Sequence, residues 1–146
     1  MQKIVIDSNI YIDYLRTGKQ SDILEGLYRF RIASLYFSSV VIQELLRGAL
    51  DKKGIQLVQM MYVPFKKVGR IITPTDKDWE EAGCILQKIV LKHPSRRTKI
   101  PSLLGDTLIA LSARRQGAVV YTQNEKDFHL IASVKEIAYR VVKSTL

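Results

Sequence analysis

The chain has 146 residues, 47% apolar and 25% charged, the balance of a globular chain that can build a core without staples. Its single cysteine, Cys84, excludes an internal disulfide and a zinc site built on cysteine pairs. Lysine and arginine number 23 against 14 acids, and the resulting charge of +9 attracts polyanions such as nucleic acid. No apolar stretch approaches the roughly 20 residues of a membrane span. Asp7 interrupts the first apolar run, so no secretory leader is expected and the protein is placed in the cytoplasm. The length suits one domain over residues 1–146.

Short apolar runs alternate with longer helical ones, which predicts an α/β fold with a mostly parallel sheet. Ile4-Val5-Ile6 reads as a central strand buried on both faces. A helix follows from Ser8 or Asn9, carrying Ile10, Tyr11, Tyr14 and Leu15, and Thr17-Gly18 ends it. A second helix starts at Ser21 with Ile23, Leu24, Leu27 and Tyr28 at helical spacing. A strand near Leu35–Phe37 leads to a helix capped by Ser38 or Ser39, with Val41, Ile42, Leu45 and Leu46 on its apolar face. The next helix is predicted over Lys53–Tyr62, stopped by Pro64, with Met60-Met61-Tyr62 expected in the core and contact with a partner protein's helix as the alternative.

Ile71-Ile72-Thr73 reads as a third strand. Thr75-x-x-Asp78 is a capping box, and Asp76, Asp78, Glu80 and Glu81 favour that helix N-terminus. Behind them Trp79, Ala82, Ile85, Leu86, Ile89 and Val90 form one expected core face, with Cys84 expected as a small buried residue. Lys92–Lys99 is a proline-bounded basic loop in which Arg96, Arg97 and Lys99 could grip phosphates. A helix from about Ser102 to Gln116 ends at Gly117. Ala118–Tyr121 is a fourth strand, Glu125–Ile131 a short helix, and Tyr139–Val142 a last strand.

Four acids hold related places in this pattern. Asp7 and Asp127 lie beyond the carboxyl ends of the first and fourth strands, where open parallel sheets bind ligands. Glu44 and Asp106 lie within the early part of helices, hemmed by Leu45-Leu46 and Leu103-Leu104. Each alone has an ordinary explanation as a cap, turn or helix residue. As a set they point elsewhere. Gathered carboxylates resist ionising together, and a hard divalent cation with oxygen ligands removes that penalty. Such an ion can activate water against a phosphodiester, while a basic surface holds the polyanion.

The residues around these acids carry a resemblance. Ile4-Val5-Ile6-Asp7-Ser8-Asn9, Ser39 with Glu44-Leu45, Asp106-Thr107-Leu108-Ile109-Ala110 and Thr122-Gln123-Asn124-Glu125-Lys126-Asp127-Phe128 resemble, in order and spacing, the motifs of PIN-domain nucleases, specifically the VapC toxins of toxin–antitoxin pairs. The resemblance runs almost end to end. It implies a PIN-like three-layer sandwich, a central, mostly parallel β-sheet flanked by α-helices. It implies that Asp7, Glu44, Asp106 and Asp127 form a Mg2+ or Mn2+ site, supported by Ser8, Asn9, Thr122 and Asn124. It further implies hydrolysis of RNA without a covalent enzyme intermediate, a homodimer, and inhibition by a small antitoxin protein. Thr107 and Leu108 stand where some members carry a further acid, and Gln123 where many carry Arg.

Other readings fit less well. Receiver domains need paired acids after the first strand, and Asp-x-Asp phosphatases need an acid where Asn9 stands. There is no P-loop. Nothing brings His93 and His129 together as an acid–base pair. Two alternatives stay open at this level: a PIN-domain nuclease of RNA processing or decay, and a basic module that binds RNA without cutting it. Loss of cleavage on removing divalent metal separates the last from an enzyme.

Overall fold

The computed structural model describes residues 1–143. Among these residues five strands form one sheet: β1 (Lys3–Ile6), β2 (Leu35–Ser38), β3 (Ile71–Ile72), β4 (Ala118–Thr122) and β5 (Tyr139–Val141). Their order is β3-β2-β1-β4-β5, and every pairing among them is parallel. Ile4 sits opposite Leu35 on one side and Val119 on the other, so β1 is central as its unbroken apolar run predicts. Among the described residues seven α-helices flank the sheet: α1 (Ser8–Thr17), α2 (Ser21–Phe30), α3 (Ser39–Gly48), α4 (Lys52–Lys67), α5 (Asp76–Lys92), α6 (Ile100–Arg115) and α7 (Glu125–Ala132).

From β1 the chain moves outward to β2 and β3, then returns past β1 to β4 and β5. Right-handed crossovers therefore place α1–α4 on one face and α5–α7 on the other. The contacts agree: α1 meets α2 and α3, α3 meets α4, and α5, α6 and α7 touch one another. The reversal of direction falls between β1 and β4, the position where parallel sheets open a crevice. Helices α3 and α6 meet across the sheet's carboxyl edge. Among the described residues, no helix is long and apolar enough to cross a membrane.

An aromatic cluster anchors the α1–α4 face. Tyr11 stacks on Phe37 at 4.9 Å between centroids, and Phe65 lies 5.6 Å from Phe37 and 5.9 Å from Tyr28. This cluster explains why Pro64 does not stop its helix. The expected end near Tyr62 is wrong, and α4 continues to Lys67 with Pro64 inside it. An interior proline costs about 3 kcal/mol, and burying a Phe side chain returns roughly 1.5–3 kcal/mol. Phe65 is buried and Pro64 exposed, so the last turn stays docked.

Other expectations change with the packing. Met60 is exposed, whereas Met61 and Tyr62 are half-buried against the core. Cys84 is exposed, because α5 buries Asp78, Ala82, Ile85, Leu86 and Ile89 and turns position 84 outward. Trp79 is 53% exposed rather than core. At 3.6 residues per turn it lies on the edge of that buried stripe. The basic segment is not an irregular loop but a 3₁₀ helix over Pro94–Lys99, and α6 begins directly after it with a proline in its first turn. Gly117, at φ 70°, makes the left-handed exit from α6 into β4.

Candidate active site

Three of the four acids meet in a cleft of about 610 Å³ at the carboxyl edge of the sheet. Asp7, Glu44 and Asp106 line it, together with Ser8, Asn9, Ser39 and Asn124. Asp7 reaches this place because β1 ends at Ile6 and the chain turns into α1. Its Oδ1 accepts the Ser8 N–H at 2.8 Å, so it caps the helix, and its Oδ2 accepts the Thr122 hydroxyl at 2.7 Å. The expected cap at Ser8 or Asn9 is therefore supplied by Asp7 itself. The ordinary cap role and the site role belong to the same carboxylate. Ser38 caps α3, accepting the Val40 N–H, and sets Glu44 facing the cleft one and a half turns later.

Asn124 ties the remaining acids together. Its Nδ2 donates to Asp106 Oδ2 and to Asp127 Oδ2, each at 2.9 Å. Its Oδ1 accepts the Asp127 N–H and so caps α7. Asp127 stands behind the cleft wall, coupled to it through this amide. Thr122 is fully buried and also accepts the Asn124 N–H at 2.9 Å. Asn9 accepts the Gln123 N–H at 3.3 Å and its Nδ2 lies 3.5 Å from the Thr122 hydroxyl. Thr122, Asn124 and Asn9 thus lock the loop after β4 against the end of β1. Ser8 is buried at the same junction.

The cleft is electrically strained. Burial pushes the Asp106 carboxyl up to about 8, with the charges of Asp7, Asp127 and Glu44 adding to the rise and the Asn124 hydrogen bond opposing it. Burial raises Glu44, and Asp7 raises it further, against the Ser8 hydroxyl and the Arg47 charge. Burial also raises Asp7, although its hydrogen bonds to Thr122 and Ser8 pull the other way. Glu44 Oε1 is buried without a hydrogen-bond partner. Gly105 lets α6 approach α3 closely: a Cβ there would lie 3.4 Å from Glu44 Oε2.

This donor set fits a hard divalent cation. All its atoms are oxygens, several are carboxylates that repel one another, and one buried oxygen has no partner. Among the described residues, no three His, Cys, Asp or Glu side chains are grouped so as to hold a metal ion by themselves. Magnesium needs only one or two direct carboxylates and keeps several waters.

The basic residues are placed differently. Arg96, Arg97 and Lys99 do not line the acidic cleft. Arg97 faces a neighbouring shallow groove along α5, which shares Pro101 with the cleft. The cation on the cleft wall is Arg47, one turn after Glu44, and sequence reading did not single it out. Its signal was the ordinary i, i+3 spacing from Glu44. Thr107 donates its hydroxyl to the Leu103 carbonyl within α6 and is fully buried, away from the cleft.

Comparison with known proteins follows the same lines. No curated protein sequence matches the chain at a significant level. Its fold is similar to that of a chain of DNA-bound VapBC from Salmonella typhimurium, with a TM-score of 0.66 and 21% identity over 97% of this chain and 98% of that one. A chain of VapBC2 from Rickettsia felis, bound to a DNA fragment from its promoter, gives a TM-score of 0.63 at 20% identity over 97% and 100%. A chain of FitAcB from Neisseria gonorrhoeae gives 0.67 at 19% identity over 93% and 95%. The sequence profile of the PIN domain matches residues 4–134, spanning all four acids and the locked loop after β4, and the chain belongs to the PIN domain family.

Proposed function

We propose that this protein is a divalent-metal-dependent endoribonuclease that hydrolyses RNA phosphodiester bonds, the toxin of a toxin–antitoxin pair. The observation that carries the reading is the gathering of Asp7, Glu44 and Asp106 on one cleft, with Asp127 bound to Asp106 through Asn124. Pure binding of a polyanion does not call for converging acids, which would repel it. Membership of the PIN domain family and likeness in fold to chains of VapBC and FitAcB support the toxin role with an antitoxin protein as partner, and a homodimer in the cytoplasm is the arrangement we propose with it.

Asp7, Glu44 and Asp106 would hold Mg2+ or Mn2+, and Asp127 would complete the charge of the site. The bound ion supplies Lewis acidity towards the scissile phosphate and lowers the pKa of water beside it. The chain's own groups do the rest. Thr122 and the Ser8 N–H fix both oxygens of Asp7, so its direction is set before substrate arrives. Asn124 holds Asp106 and Asp127 at a fixed spacing. The raised Asp106 carboxyl marks the crowding of negative charge that a bound cation would relieve. Arg47 on the wall can neutralise phosphate oxygen, and Arg96, Arg97 and Lys99 can hold the flanking strand.

The test is cleavage of a cellular RNA pool by purified, partner-free protein. With Mg2+ or Mn2+ it should cut; with chelator, or as Asp7→Asn with its fold intact by circular dichroism, it should not. Chelator-resistant cutting, or full activity of Asp7→Asn, would sink the reading.

A further inference from the structure

We propose that Trp79 is a stacking platform for an unpaired base of the RNA substrate, placing the strand across the acidic cleft; this rests on the ribonuclease reading above. Trp79 lines the same cleft as Asp7, Glu44 and Asp106, beside Thr73 and Pro74. The sheet order shows how the cleft is laid out. Following the strand ends from β4 through β1 and β2 to β3, its lining passes Asn124, then Asp7, then Ser39, then Thr73. Asp7 follows β1 and Glu44 lies on α3 after β2, whereas the indole lies on α5 after β3. Neighbouring strands lie about 4.8 Å apart, so β1 and β3 are separated by roughly 10 Å and β4 and β3 by roughly 14 Å, a span that a few nucleotides of one strand can cover.

The indole has no structural task that explains its position. It is 53% exposed, while the core stripe of α5 is filled by Ala82, Ile85, Leu86 and Ile89. No aromatic pair or cation–ring contact among the described residues includes it. Sequence periodicity puts it on the core face, and the fold turns it to the cleft instead. A half-exposed tryptophan beside acids that act on phosphodiesters suits a base better than a phosphate. Every base has a π face, stacking is tolerant of sequence, and the ring is neutral. It gives a cleft crowded with carboxylates an attractive contact that does not depend on charge.

Trp79 is the chain's only tryptophan, so its emission reports on this position alone. The experiment uses the full chain as Asp7→Asn, to prevent cutting, with Mg2+ present. A short, unpaired, end-labelled RNA of mixed sequence is titrated while label anisotropy and tryptophan emission are followed together. Inorganic polyphosphate serves as an anion without bases. Emission should be quenched with the same midpoint as the anisotropy rise, and polyphosphate should leave it unchanged. Adding Trp79→Ala should weaken RNA binding about tenfold or more without changing its salt slope, and Trp79→Phe should recover most of the loss.

RNA binding with emission unchanged would overturn the platform and leave the ribonuclease reading standing. Failure to bind RNA at all would overturn both. Emission that follows protein concentration rather than RNA would assign the indole to a contact between copies and overturn the platform. Equal weakening by Trp79→Phe and Trp79→Ala would show a packing role and overturn it too.

Discussion

Asp106 sits between buried leucines and three other carboxylates, and its cost to the fold can be measured. Its folded-state pKa is about 8, above the ordinary 3.8. Between those values the folded chain keeps a proton that the unfolded chain has released. Stability therefore falls as pH rises through that window, the reverse of a salt-bridged acid. Asp106→Asn keeps the shape and the Asn124 contact and removes the charge. We expect the metal-free variant to melt at a higher temperature than the parent at pH 8, with the gap closing towards pH 4, and to lose cleavage. Thermal melts at several pH values check this, and a variant less stable than the parent at pH 8 would contradict it. Stability given up at one residue is an expected mark of a functional site. Asp7, Glu44, Asp106 and Asp127 were legible from their positions after strands and in early helix turns. The bridging role of Asn124 was not, because an amide between two acids depends on which side-chain atoms meet across 18 residues.

Helices α5 and α6 illustrate how one ion pair can pin two elements. Asp78 is only 1% exposed, caps α5 with Thr75, and receives Arg115 from the end of α6 at 2.6 Å. Burial would raise its pKa, but Arg115 and the Thr75 N–H together hold it below the usual carboxylate range. A lowered acid contributes stability above its unfolded pKa and loses it as pH falls through the folded one. Arg115→Leu should therefore lower the melting temperature by a few degrees at pH 7, and the deficit should shrink in acid as Asp78 protonates in both proteins. A deficit independent of pH would mean that packing, not charge, is lost. The capping box was visible in the sequence because it is local, and so were all five strands. Partners such as Arg115 are 37 residues away and were not. The same limit explains Pro64 and Trp79. Helical rules place a stop at the first and a core face at the second. Phe65 docking on Phe37 and the cleft beside α5 decide otherwise, and both are tertiary facts.

Across the whole molecule, charge is divided between two places. Four of the 14 acids gather at the cleft or are tied to it through Asn124, which leaves 10 acids against 23 basic residues elsewhere. The remainder is a basic body around an acidic centre. Long-range attraction brings the polyanion in, and the acids oppose its final approach unless a cation is present. The 3₁₀ helix Pro94–Lys99 is well placed for the first of these, since Pro101 joins its groove to the cleft. If Arg96 and Arg97 contact phosphates, each displaces about one counterion on binding. Replacing both with alanine should weaken RNA binding uniformly across sequences. It should also flatten the plot of log affinity against log salt by roughly 1–2 in slope, using about 0.7 per phosphate for single strands. Trp79→Ala, by contrast, should weaken binding at constant slope, so the two variants separate charge from stacking on one graph. An unchanged slope in the Arg96→Ala, Arg97→Ala double variant would show that the basic body works elsewhere, with Arg47 on the cleft wall as the next residue to replace.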